Sequence, residues 1–249
     1  MNSVIFSLWL REIKKYFRSR ARILGMLGQP ILFLITMNYG FGSMFSAAGG
    51  GNYIDFLAPG IVAMSILFTS VFSGMAVITD RQFGFLKESL VSPVDRLQIF
   101  IGRTLGGATI ATLQGIFVLV ITIFMGIHIA DWFMIPAAIG FMFLISLLFT
   151  ALGTAIASKL EDMQAFQLIV NFLVMPLFFM SNAMFSTAGF PEPLFTIAKY
   201  NPLSFGVDGI RSALTGMSQH AMFTDLWVLI VVTVILMIIG SKLFSDIQV

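Results

Sequence analysis

Six apolar stretches recur along this chain, at 23–45, 54–79, 99–127, 132–158, 165–185 and 225–244, each long enough to cross a hydrocarbon layer about 30 Å thick. A chain that is 58% hydrophobic and only 10% charged cannot dress itself in a water-soluble surface, for which about a quarter of the residues are ordinarily charged. Lipid offers the backbone no hydrogen-bond partner, so only helices and closed barrels cross it. These runs lack the two-residue alternation of barrel strands. The expected fold is therefore that of an all-α integral membrane protein with six transmembrane helices, in a single transmembrane domain covering 1–249.

Residues 1–22 follow a different pattern. Phe6, Trp9, Leu10, Ile13, Tyr16 and Phe17 fall at helical spacing, while Arg11, Lys14, Lys15 and Arg18 lie largely elsewhere around the helix. That spacing predicts an amphipathic helix at the membrane interface. Trp9, Tyr16 and Phe17 are expected to anchor in lipid, and the cations to meet anionic headgroups, at on the order of 1 kcal/mol each near the surface. No small-residue cleavage site follows a short apolar region, so the first span is expected to stay in the mature protein. The chain has no cysteine, which excludes disulfides and cysteine-ligated metal.

Six crossings place both ends of the chain on one side, and the cations say which. On that side fall Arg11, Lys14, Lys15, Arg18, Arg20, Arg22, Arg81, Lys87, Arg96, Arg103, Lys159 and Lys242; only Lys199 and Arg211 fall on the other. Positively charged loops stay in the cytoplasm, so both termini are expected there, in a multi-pass protein of the plasma membrane.

Two connections exceed the rest. The cytoplasmic stretch 80–98 mixes charge with Phe83, Phe85, Leu86 and Leu90 and then meets Pro93, a pattern for a short surface helix and a turn. The outer stretch 186–224 is too apolar for a free loop, and Pro191, Pro193 and Pro202 cut it into pieces shorter than a span. It is expected to form re-entrant helices before the last span, backed by protein or a water-filled cavity.

Five segments, in order, resemble the permeases of ABC-2 type exporters, of the kind that serve drug and polysaccharide export: RSRARILGMLGQPILFLI at 18–35, FLAPGIVAMSILF at 56–68, TDRQFGFLKESLVSPVDRLQIFIGR at 79–103, MPLFFMSNAMF at 175–185 and YNPLSFGVDGIRSAL at 200–214. The resemblance implies a half-transporter that pairs with a second permease copy, as a homodimer or with a similar subunit. It also implies a partner ATPase (nucleotide-binding) subunit on the cytoplasmic face of a bacterial or archaeal cytoplasmic membrane. ATP and magnesium would belong to that partner, with no cofactor in this chain. The coupling helix of the family maps to Arg81, Phe83, Leu86, Lys87, Glu88 and Leu90, and the outer gate to the segment holding Asn201, Pro202, Asp208 and Arg211.

The residues themselves argue against other chemistries. There is no glycine-rich phosphate loop ending in Gly-Lys-Ser/Thr, no His-Glu-x-x-His pair and no Gly-x-Ser-x-Gly nucleophile turn, so no catalytic residues are assigned. Nothing points to nucleic acid. The rival reading is a secondary transporter or channel not coupled to ATP, but no acidic residue is centred in a span, where proton-coupled carriers often place one. Asp208 and Arg211 stand three apart, so on a helix they share a face and are expected to pair. His128 and His220 are expected to be isolated outer-loop residues, with no metal site. Gly102, Gly106, Gly107, Gly153 and Ala157 are expected to let helices approach closely. Apolar walls of Met and Phe favour a hydrophobic or amphipathic substrate over a small ion, and the resemblance implies outward movement of such a compound, a lipid or a glycan.

Overall fold

A computed structural model describes residues 2–47, 51–85 and 94–247, and among them the chain is helical with no strand. In chain order the helices are α1 (Asn2–Arg18), α2 (Arg20–Ala47), α3 (Tyr53–Ser73), α4 (Met75–Gln82) and α5 (Arg96–Phe124). These are followed by α6 (Ile135–Lys159), α7 (Met163–Phe179), α8 (Glu192–Tyr200), α9 (Pro202–Thr215) and α10 (Met222–Ser245). Four segments among the described residues are long and apolar enough to cross a membrane: Tyr53–Gln82, which joins α3 to α4, then Arg96–Phe124, Trp132–Lys159 and Met222–Ser245. The expected run at 23–45 falls inside the 28-residue α2. That at 165–185 meets a shorter helix, because α7 contains Pro176 and ends at Phe179.

Helix ends follow local chemistry. Asp95, Asp162 and Asn201 each cap a helix by accepting a backbone N–H two or three residues on, from Leu97, Ala165 and Leu203. Pro202 then stands at the first position of α9, where its missing N–H costs nothing. Gly216 closes that helix at φ 72°, a left-handed conformation glycine adopts freely.

The Tyr53–Gln82 segment is the centre of the bundle. Of its most apolar window 72% is buried, against 17% for Met222–Ser245, so the last helix turns most of its surface outward. Helices meet where side chains are small. A Cβ on Gly153 of α6 would strike the backbone carbonyl of Val71, and one on Gly74 would strike the backbone of Gly153, so α3 and α6 cross at backbone contact. Gly107 packs against Ser73 and Thr150 in the same layer.

α1 lies along α5. Gly102 receives Ile5 and Leu8, Gly106 receives Glu12 with its Cβ 2.8 Å from where a glycine Cβ would be, and Tyr16 reaches Gln114. The contacts advance in the same direction on both helices. The face of α1 that carries Trp9 and Tyr16 is therefore taken by protein, and α1 leaves only its other faces for lipid.

Candidate functional site

The polar groups gather at the two ends of the bundle. At one end, Arg81, Arg96 and Lys159 link the last turns of α4, α6 and α10 to one another and to the start of α5. Arg81 donates to the carbonyls of Ser158 (3.2 Å) and Leu160 (3.3 Å), and Arg96 to those of Ser245 and Ile247. Lys159 stands 3.5 Å from Asp246. Cations over the last carbonyls of helices satisfy acceptors that the helix leaves open.

Asp80, 2% exposed in the last turn of α4, is the hub of this end. Its Oδ2 accepts from Arg11 of α1 at 3.0 Å and from Arg103 of α5, so a single carboxylate joins three helices. Arg103 is as buried as Asp80, whereas Arg11 keeps 39% of its side chain exposed. Directly beyond this hub the chain presents Phe83, 71% exposed. A recess beside it is lined by Arg11, Lys15, Thr79, Asp80, Phe83 and Phe85.

Of the residues expected to contact an ATPase, Arg81 and Phe83 are thus placed, the first fastened to the turn after α6 and the second projecting. Leu86, Lys87, Glu88 and Leu90 lie outside the described residues. Among the expected lipid anchors, Lys14, Phe17 and Arg18 are exposed. Three others face protein instead. Trp9 donates to Thr109 Oγ1 at 3.0 Å, Arg11 is bound to Asp80, and Tyr16, 2% exposed, donates to Gln114 Oε1 at 2.7 Å. Burial pushes the Tyr16 phenol above its ordinary pKa and keeps it a donor.

The opposite end is built on buried carboxylates that hold loops. Asp55 of α3 accepts the backbone N–H of His128 at 2.7 Å, and Ala130 N–H donates to Leu214 at the end of α9. Asn201 Nδ2 donates to the carbonyl of Leu177, tying α9 to the end of α7. The expected Asp208–Arg211 pair is not formed. Arg211 points to α3 and the turn after α7, donating to Phe56 O (3.1 Å) and Asn182 O (2.8 Å) with its guanidinium 4.2 Å from the Phe56 ring centroid. Asn182 makes that turn at φ 57°, a left-handed value that asparagine tolerates better than most residues. Asp208 points the other way and accepts from the backbone N–H of Gln219 and His220, each at 2.9 Å.

His220 is not isolated. Its Nδ1 stands between Asp208 and Asp225, a residue of the first turn of α10 that sequence reasoning passed over. His128 enters this end through its backbone alone among the contacts described. Asp80 and Arg103 were also passed over as a pair. The available signal was an acidic residue ending an apolar run, with an arginine one turn inside the next run, and it does not say which cation the carboxylate takes.

Comparison with known proteins places these sites in a family context. The family described as ABC-2 type transporter matches residues 3–215. Nodulation protein J of Rhizobium leguminosarum bv. viciae is 24% identical over 240 residues, covering 95% of this chain and 92% of that protein. The inner membrane transport permease YadH of Escherichia coli K12 is 24% identical over 233 residues, covering 90% and 88%. The ycf38 protein of Cyanophora paradoxa is 28% identical over 190 residues, and there the match spans 74% of this chain but only 64% of the relative.

Proposed function

The chain belongs to the ABC-2 type transporter family, and from that membership we propose that it is the membrane permease subunit of an ABC exporter driven by a separate ATPase. The working unit is two copies of this chain with two ATPase subunits, which hold the ATP and magnesium. ATP binding closes the ATPases, moves the coupling loops at 80–98, and switches the cavity between the permeases so that a hydrophobic or amphipathic compound, a lipid or a glycan leaves outward.

Six crossings with cytoplasmic termini are supported by how the helix ends alternate. α2 starts beside α1 and ends with Phe45 against Tyr53 and Phe56 at the Asp55 end. Tyr53–Gln82 returns to Asp80, α5 runs out to the loop holding His128, and α6 comes back to Lys159. α7 then leads to Asn182 beside Arg211, and α10 returns to Asp246. The end holding Asp80 gathers the cations and is read as cytoplasmic. α8 and α9 stay at the other end, as re-entrant helices near an outer gate would. Exposed apolar side chains on α2 and α7, among them Leu32, Phe41, Leu168 and Phe172, are left for lipid and for the second copy.

The observation that carries the coupling assignment is the last turn of α4. Exposed Phe83 follows within three residues of Asp80, so a force on the loop reaches α1 and α5 through one buried carboxylate. The test is Phe83→Ala with Leu86→Ala. Apolar groups at the centre of an interface typically carry more than about 1–2 kcal/mol each, and rim charges much less. The double variant is expected to bind its ATPase roughly tenfold more weakly or more, at unchanged amounts of permease in the membrane, while Lys87→Ala does far less. Wild-type retention of the ATPase together with normal transport by the double variant would move the contact to α1 or the turn after α6.

A further inference from the structure

Asp208, His220 and Asp225 come from α9, the loop after it and the first turn of α10, yet one ligand atom from each lies within 4.8 Å of the others. Asp208 is held in place by backbone N–H groups, Gln219 donating to both its oxygens and His220 to the Oδ2 that faces the imidazole Nδ1, and such hydrogen bonds orient a ligating carboxylate. Asp225 has none. It is 0% exposed, and neither of its oxygens has a hydrogen-bond donor; His220 Nδ1, facing it, is likewise buried without a hydrogen-bond partner. A carboxylate buried without donors beside a second carboxylate is costly unless a positive charge stands between them or the two share a proton, and titration with zinc separates these cases. The imidazole Nδ1 is 3.4 Å from Asp208 Oδ2 and 3.7 Å from Asp225 Oδ1, too far to donate a normal hydrogen bond to either.

Those separations fit a shared ion, since two ligand atoms each about 2.1 Å from one tetrahedral zinc stand roughly 3.4 Å apart. We propose that Asp208, His220 and Asp225 bind a divalent first-row transition cation, zinc foremost, through one oxygen of each carboxylate and Nδ1 of the imidazole. The two carboxylates neutralise the dication. A nitrogen ligand favours zinc over calcium or magnesium, which take oxygen. The Phe205 ring, 5.3 Å from the imidazole centroid to centroid, covers one side of His220. The side chain of His220 is 38% exposed, but its Nδ1 and both Asp225 oxygens are buried, so the ligand atoms face one another rather than solvent. Bound there, the ion fastens α9 to α10 across the loop between them.

Zinc binding at this triad needs neither an ATPase nor a substrate, so it is tested on the purified chain, and its failure would leave the transport reading untouched. The background is low, because the chain has no cysteine and, besides His220, only one other histidine, His128. Full-length protein without a histidine tag is stripped with EDTA in detergent and titrated with zinc chloride against a chromophoric chelator, and bound zinc is counted by mass spectrometry. Wild type is expected to hold about one zinc per chain and to melt at higher temperature with zinc but not with calcium. His220→Ala, which alters a half-exposed ring, and Asp225→Asn are each expected to weaken binding by at least the roughly 10–100-fold that loss of a mere outer partner costs. Should His220→Ala not fold, His220→Gln replaces it. A wild-type chain that binds no more zinc than the folded His220 variant overturns the proposal. So does a melting temperature that follows pH and ignores zinc, the behaviour of two carboxylates sharing a proton.

Discussion

Asp80 is where three helices are joined by charge, and its two arginines are not equivalent. Removing one partner of a buried ion pair leaves an uncompensated charge and costs about 3–5 kcal/mol, whereas an ion pair open to water contributes about 1 kcal/mol or less. Arg103 is buried with Asp80 and Arg11 is partly exposed. Arg103→Ala is therefore expected to lower the thermal unfolding midpoint, followed by tryptophan fluorescence in detergent, well below that of Arg11→Ala. Equal midpoints would mean that the buried pair is not what holds the α4–α5 junction. That Asp80 and Arg103 matter was open to inspection, since Asp80 directly follows one apolar run and Arg103 stands one turn inside the next. Their pairing was not, because partner choice depends on which helices touch. The same limit explains Asp208 and Arg211: three-residue spacing puts two charges on one face, but Asp208 finds backbone N–H groups of the next loop and Arg211 finds carbonyls of α3 and the turn after α7.

At the scale of elements, hydropathy alone located most boundaries. Runs read at 54–79, 99–127, 132–158 and 225–244 meet Tyr53–Gln82, Arg96–Phe124, Trp132–Lys159 and Met222–Ser245, because apolar length is what a span requires. The run at 165–185 was overread, since its last residues are apolar yet leave the helix at Met180 to form the turn at Asn182. Amphipathicity gave α1 as a helix but not its neighbour, since an apolar stripe fits lipid and a glycine-lined helix equally well. The glycine contacts provide a test. At Gly153 an added methyl meets the backbone of Val71, which cannot step aside, and overpacking of this kind costs about 1–3 kcal/mol. At Gly140, on the same helix, nothing lies within 4 Å, so alanine there is expected to stabilise by about 0.5–1 kcal/mol through helix propensity. Gly153→Ala should thus melt below wild type and Gly140→Ala at or above it. The reverse order would mean that α3 and α6 do not cross at backbone contact.

For the whole molecule, the sequence carried the class of protein further than its sites. Composition demanded a membrane, the cation distribution set the expected orientation, and five ordered segments resembled a family whose match covers residues 3–215. The partners of the carboxylates that organise the two ends entered only with the structure, because they come from other helices and loops: Arg11 and Arg103 for Asp80, and the loop after α9 for Asp208. What remains distinctive is that the chain offers no phosphate loop while its family membership calls for energy from ATP. The direct measurement is to isolate the tagged chain from membranes of its native host in a mild detergent, identify what accompanies it by mass spectrometry, and assay ATP hydrolysis before and after the companion is removed. The expected result is an accompanying ATPase that carries a phosphate loop, with hydrolysis that leaves with it. Turnover that stays with the isolated permease, or transport by the chain reconstituted alone and driven by an ion gradient, would contradict the assignment.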